Sequence, residues 1–297
     1  TQVSAAPVAT PASTPTLYAK ASRVVSDWLP AAKRKKILAY GIVAAVLSIL
    51  IGTATWWTGR PKEINGVSAV MQAQLKEGLV AYYPFNGNAN DESGNGHDGE
   101  VKGPTLAASR TGDSKSAYNF DGENDYLMVP HQDSLNIDGG LTLSAWVQPE
   151  DIPDNHATII QKGNGQSNTV IFQLGNQRGQ ARYFWRSSPN GKYHWVITKN
   201  IFFNPKIWTH FLVTHIPGNQ PSLYINGMFC KDIDIENNST ALRFTNKEPI
   251  FIGADVRPRP EIKSRWYGEI DDIRIYNRAL SGEEVAALYD LEKPKAK

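Results

Sequence analysis

Ser222–Glu236 has the sequence SLYINGMFCKDIDIE, with Leu223 and Ile225 ahead of Asn226-Gly227 and Ile233 and Ile235 after it. A spacing of two is the signature of a strand with one buried face. Asn-Gly is the dipeptide that enters a type I′ turn most easily, because both central residues need positive φ. The stretch therefore predicts a hairpin of Leu223–Ile225 with Met228–Ile235. Working outward, the same period continues on both sides. It covers Ala181–Trp185, His194–Thr198 and Thr209–His215 upstream and Gly268–Tyr276 downstream, and reaches back through Leu141–Val147 to Leu79–Phe85. These runs are short, rich in β-branched and aromatic residues, and separated by Gly, Asn, Asp and Pro. One helix stands out near the end: Ser281 and Glu284 form a capping box ahead of Val285, Leu288 and Tyr289. The expected fold is all-β, a two-sheet jelly-roll sandwich over residues 78–291.

Several motifs sharpen this. GLVAYYPFNGNANDESGNGHDGEV (78–101), NFDGENDYLMVP (119–130), LTLSAWVQP (141–149), SLYING (222–227) and YGEIDDIRIYNRALSGEEVAALY (267–289) resemble a bacterial laminin-G-like domain. The resemblance implies the concanavalin A-like lectin/glucanase superfamily, with first and last strands as neighbours and a structural Ca²⁺ of variable position. It says little about the ligand, since one fold hosts many functions.

Asp91-x-Ser93-x-Asn95-Gly96 has the alternating oxygen donors and turn glycine of the first half of a calcium loop. The twelfth position is Lys102, so an EF-hand is excluded. A sandwich can complete the shell from a distant strand, and Asp271 is the expected donor, with Asp272 beside it. Asn124 and Asp125 form a weaker second candidate, and the alternative for the first loop is an Asx-turn held by its own backbone bonds. Gly94–Gly99 matches GxGxxG, but no helix can start at Val101-Lys102-Gly103-Pro104, so a dinucleotide site is not expected. Asp232, Asp234 and Glu236 share one strand face and resemble the Glu-x-Asp-x-Glu strand of some glucanases. The first position is one methylene short and the context is that of a non-catalytic strand, so no catalytic residues are assigned. His210 and His215, five apart, should face opposite sides of their strand. Cys230 is expected to be a packed thiol.

A ligand or partner surface is sought among Tyr183 and Trp185, which share one face, and Tyr193 and Trp195 on the next strand. The basic loop residues Arg257 and Arg259 extend that surface towards an acidic partner.

Outside the sandwich, Ile37–Trp57 carries no charge over 21 residues. As a helix it would cross roughly 30 Å, the core of a bilayer. Lys33, Arg34, Lys35 and Lys36 precede it, and Trp56 and Trp57 close it, which places the N-terminus in the cytoplasm. Ahead lies an Ala/Pro/Thr/Ser-rich tail (1–36) with a candidate amphipathic helix at 17–29 that carries Trp28. Residues 58–77 are expected to be a linker with a short stalk helix at Val67–Lys76, and 292–297 a C-terminal tail. Of the net charge of +2, residues 1–36 hold +5, so the remainder carries −3, the difference between the two. A nucleic-acid-binding body is not expected from that split. A single cysteine excludes a disulfide framework.

Together these features predict a non-catalytic recognition or assembly module anchored in a bacterial inner membrane with its sandwich on the periplasmic side. It would contact the lipid bilayer and a protein of a membrane complex. The alternatives are a lectin-like glycan receptor and the C-terminal sensor of a longer signalling protein. Apart from the Ca²⁺, no cofactor is expected.

Overall fold

The computed structural model describes residues 63–152, 156–163, 171–188, 191–236, 244–257 and 261–295. The described residues form eighteen strands and two α-helices. In chain order, α1 (Ala69–Gln74) precedes β1 (Leu79–Tyr83), β2 (Glu100–Lys102), β3 (Thr105–Ala107), β4 (Ala117–Asp121) and β5 (Tyr126–Val129). Then follow β6 (Leu141–Pro149), β7 (His156–Lys162), β8 (Ile171–Gln177), β9 (Gln180–Arg186), β10 (His194–Phe202) and β11 (Thr209–His215). The chain continues through β12 (Ser222–Ile225), β13 (Met228–Phe229), β14 (Ile233–Glu236), β15 (Ile250–Ile252), β16 (Asp255–Arg257) and β17 (Glu261–Lys263). It ends in β18 (Tyr267–Tyr276) and α2 (Gly282–Glu292).

Sheet one has the order β13-β12-β11-β6-β18-β4-β3, with β1 also on β18, and sheet two the order β14-β10-β9-β8-β7-β15-β5-β2. Every pairing is antiparallel. Alternate residues of the two sheets meet between them. Leu143, Ala145, Phe211, Val213 and Ile275 come from sheet one; Ile160, Phe172, Leu174, Tyr183, Trp185 and Val196 come from sheet two. Each such large side chain contributes about 1.5–3 kcal/mol on leaving water. This is the expected two-sheet sandwich, and β1 lies beside β18 as the resemblance implied.

The Asn226-Gly227 turn forms with φ of 50° and 74°. Gly227 is needed twice, since a Cβ there would also meet the Cβ of Tyr289 on α2 at 2.9 Å. Ser281 and Glu284 close the capping box that starts α2.

Four expectations are corrected. Met228–Ile235 is not one strand: β13 pairs β12 in sheet one and β14 pairs β10 in sheet two. Cys230, 2% exposed, turns into the core between them, so the chain changes sheet there. Burial pushes its thiol pKa up to about 11. The stalk helix shrinks to the six residues of α1, and the described part of the linker packs on the sandwich. Leu75 joins Leu280, Val285 and Leu288, and the carbonyls of Gln74 and Glu77 accept hydrogen bonds from Arg278. Glu292 belongs to α2 and is buried rather than part of a tail. The short strands β2, β3, β16 and β17 were not foreseen. Among the described residues no helix is long and apolar enough to cross a membrane. The expected span 37–57 and its flanking Trp28, Lys33, Arg34, Lys35, Lys36, Trp56 and Trp57 lie outside them.

Candidate functional site

The two outer faces of the sandwich differ. α2 covers that of sheet one, and an open cleft of about 300 Å³ lies on that of sheet two. The sequence of β9, QARYFWR, builds the cleft floor. Ala181, Tyr183 and Trp185 turn into the core, which leaves Gln180, Arg182 and Phe184 on the outside. Cross-strand register then aligns Gln161 of β7, Gln173 of β8, Phe184 of β9 and Trp195 of β10 in one row. The next row holds Gly175, Arg182 and Ile197. Gly175 has no side chain to place beside Arg182, and a Cβ there would strike the carbonyl of Ala157 at the β7 bulge. His156, Asp255 and Ser264 complete the rim.

The polar groups form a directed chain. Gln161 Nε2 donates to Asp255 Oδ1 at 2.6 Å, and Gln173 Nε2 donates to Gln161 Oε1 at 2.6 Å and to Thr158 Oγ1 at 2.8 Å. With both amide donors used inward, no described donor reaches Gln173 Oε1. The aromatic groups stack: Tyr193 lies on Phe184 at 5.0 Å, with Arg186 over Tyr193 and Arg182 over Phe184 at the two ends. Among the described residues no ring packs on Trp195, which is half-buried on the same face.

Arg182 is the exception in this cleft. Its Nε is buried without a hydrogen-bond partner, and no described carboxylate pairs with it. Burial alone lowers its pKa to about 10. Burial, then the Arg182 charge, also holds His156 below its usual value.

The residues of the expected ligand surface divide between the two faces of sheet two. Tyr183 and Trp185 do share a face, but it is the inner one; both are fully buried, against His215. Tyr193 lines the open cleft, and Trp195 stands opposite Phe184 on the same outer face. Arg257 ends β16, and Arg259 lies outside the described residues. His215 turns inward and His210 outward under α2, on opposite faces as expected.

The proposed calcium ligands separate into two groups. Asp91 Oδ1 accepts the backbone N–H of Tyr82 and Ser93, both at 2.9 Å; Oδ2 accepts Ser93 Oγ at 2.8 Å and the His97 N–H at 3.0 Å. Burial opposes ionisation of Asp91, but these donors, the His97 N–H foremost, hold its pKa below the ordinary value. Asn95 Nδ2 donates to the carbonyls of Leu79 and Val80. Asp271 has a different partner, Arg110, at 2.5 Å. Asp125 accepts the N–H of Asp121. Both lone-pair directions of each Asp91 oxygen are taken by donors, so these side chains do not fit a calcium shell. Among the described residues no group of three or more His, Cys, Asp or Glu could hold a metal ion. The Asx-turn alternative accounts for the loop.

Arg110 anchors a buried charge network on sheet one. Its guanidinium reaches Asp271 and Asp272 and its Nε donates to the Glu292 carbonyl at 2.7 Å. The Glu292 carboxylate accepts Arg274 Nε at 2.6 Å and Trp146 Nε1 at 2.9 Å, and Tyr82 Oη donates to Asp272 at 2.6 Å. Asp232, just before β14, and Asp234 and Glu236 on it are all exposed at the edge of sheet two. Asp234 pairs with Lys199 at 3.0 Å and Asp232 accepts Asn200 Nδ2 at 2.6 Å.

The antiparallel two-sheet sandwich, with its first and last strands as neighbours, is that of a laminin-G-like domain. A model of the laminin-G branch of the concanavalin A-like lectin/glucanases superfamily matches residues 121–286, more than half of the chain, and the protein belongs to that family. Solved structures share the fold. The binding domain of Paraclostridial Mosquitocidal Protein 1 is 24% identical with a TM-score of 0.56, over 73% of this chain and 52% of that one. Domain 4 of AbnA, an extracellular arabinanase from Geobacillus stearothermophilus solved with arabinotriose, is 22% identical with a TM-score of 0.54. The match covers 71% of this chain and 98% of that one. The botulinum neurotoxin serotype D ligand-binding domain, solved with N-acetylneuraminic acid, is 18% identical with a TM-score of 0.56, over 75% and 53%. This chain spans about half the length of the toxin domains it matches. No curated protein matches the sequence.

Proposed function

We propose that the protein is a non-catalytic saccharide-binding module and that the outer face of sheet two is its binding face. One observation carries this reading: Gln161, Gln173 and Phe184 line an open cleft, and cross-strand register continues their row to Trp195 on the next strand of the same face. Sugars present hydroxyls that donate and accept, beside apolar C–H faces. Amide oxygens and a carboxylate such as Asp255 suit the first, and an uncovered indole suits the second. The arabinotriose and N-acetylneuraminic acid bound by two proteins of this fold favour a sugar over the protein partner that the sequence alone suggested. With Ile37–Trp57 as a single-pass anchor, the module is a receptor on the periplasmic face of a bacterial inner membrane. Tethering raises its effective concentration, so weak individual contacts suffice.

The test is an oligosaccharide array probed with the full chain in detergent, followed by titration of the hits. At least one saccharide binds, and Gln173→Ala and Trp195→Ala each weaken it about tenfold or more while leaving the melting temperature in place. An array without a hit, or a hit indifferent to both substitutions, rejects the reading. Protease protection in sealed vesicles checks the anchor: residues 78–297 should be shielded from protease on the side of the basic cluster.

A further inference from the structure

We propose that this cleft selects saccharides that carry a carboxylate, and that Arg182 reads it. The inference rests on the saccharide reading above and adds the chemical class of sugar. An unpaired cation half-removed from water is costly, and folded proteins ordinarily supply it with a carboxylate. The protein does so elsewhere: Arg110, Arg274 and Arg278 each pair with an acid. Arg182 has none, although its position is fixed by β9 pairing on both sides and by the Phe184 ring at 4.8 Å.

The unpartnered atom also matters. Nε and one Nη of a guanidinium form a planar two-donor edge that matches the two oxygens of a carboxylate. Here Nε is the buried donor left without a bond. Arg182 itself lines the cleft, so its guanidinium borders the volume a ligand would enter.

The neighbouring acids do not take this role. Asp255 accepts from Gln161, two strands from Arg182 and thus roughly 10 Å along the sheet. Asp234 is two strands away on the other side and pairs with Lys199, and Glu236 stands opposite Trp195 at the edge. The cleft is therefore cationic at Arg182, beside a His156 that burial and the Arg182 charge keep neutral, and accepting at Gln173. That polarity fits a uronic or sialic acid residue linked to a neutral sugar.

The experiment is calorimetric titration of the full chain in detergent with oligogalacturonate and N-acetylneuraminic acid, each against its own methyl ester. At least one acid should bind about tenfold more tightly than its ester, with the difference shrinking as salt is raised. Arg182→Gln should remove the preference while ester binding stays. Arg182→Lys should keep only part of it, since an ammonium offers no flat pair of donors. Equal affinity of acid and ester in the unsubstituted protein overturns this inference and leaves the saccharide reading intact. A preference that survives Arg182→Gln overturns the assignment to Arg182, and tighter binding of a sulfated oligosaccharide overturns the choice of carboxylate. Failure to bind any sugar, charged or neutral, sinks both readings.

Discussion

The outer faces of the two sheets treat charge in opposite ways. On sheet one, Arg110, Arg274, Asp271, Asp272 and Glu292 lie under α2 and satisfy one another. On sheet two, the guanidinium of Arg182 is half-buried in an open cleft beside the Phe184 ring, and no described carboxylate pairs with it. The same chemistry thus serves two ends. A paired buried charge fixes one packing arrangement, because removing either partner strands the other. An unpaired one beside a cavity leaves a bond to be made by whatever enters. The difference explains why the closed face carries the larger polar network while the cleft face is the better candidate for recognition.

Four measurements test this contrast, the largest effect first. Glu292→Ala leaves the buried Arg274 without its carboxylate and Trp146 Nε1 without an acceptor, and should cost about 3–5 kcal/mol in urea denaturation. A loss under about 1 kcal/mol would mean that hydrophobic contacts alone hold α2.

The second concerns acid. Burial, then the charges of Arg110 and Arg274, push the His210 pKa down to about 3. The unfolded histidine takes up a proton near 6.5, so below that pH the unfolded state binds more protons than the folded one. The stability held by neutral His210 is complete above pH 6.5 and is lost as pH falls towards 3. At about 1.4 kcal/mol per unit the loss reaches a few kcal/mol. His215, pushed down to about 4 by burial, adds to it. His210→Asn should flatten the pH dependence measured by denaturation between pH 6.5 and 4, and an unchanged slope would remove His210 from the account.

Third, Gly227→Ala should cost about 1–2 kcal/mol, because the new methyl group needs positive φ and meets Tyr289 of α2. Fourth and smallest, Arg182→Gln should change stability by less than about 0.5 kcal/mol or raise it slightly, since a neutral amide is easier to bury than a lone cation. A loss of about 2 kcal/mol would show that Arg182 holds the fold together, and the contrast between the faces would fail.

Much of the architecture was legible because strand periodicity is local. The hairpin at Asn226-Gly227, the capping box at Ser281 and the β1–β18 neighbours all follow from short patterns. The site was less legible, for a physical reason visible in β9. Alternation shows that Tyr183 and Trp185 share a face and that Arg182 and Phe184 share the other. It does not show which face meets the second sheet. Reading the larger aromatics as the ligand platform inverted the two, and so passed over Arg182, whose signal was an arginine alternating with buried aromatics. Asp271 illustrates a second limit. Its proximity to the first strand was foreseen, but its pairing with Arg110, 161 residues away, depends on tertiary packing. The break at Cys230 had a local signal, since Lys231 and Asp232 are poor strand formers, but the flanking Met228-Phe229 and Ile233–Ile235 masked it.

β18 occupies the middle of sheet one, between β6 and β4, and is contributed by the final portion of the chain. During synthesis, therefore, β6, β11 and β12 can pair with one another, but β4 and β1 have no partner at that position until Tyr276 has left the ribosome. Completion of this half of the sandwich waits for the last strand to slot in, which makes late release, rather than stepwise growth, the event that commits the domain to its fold.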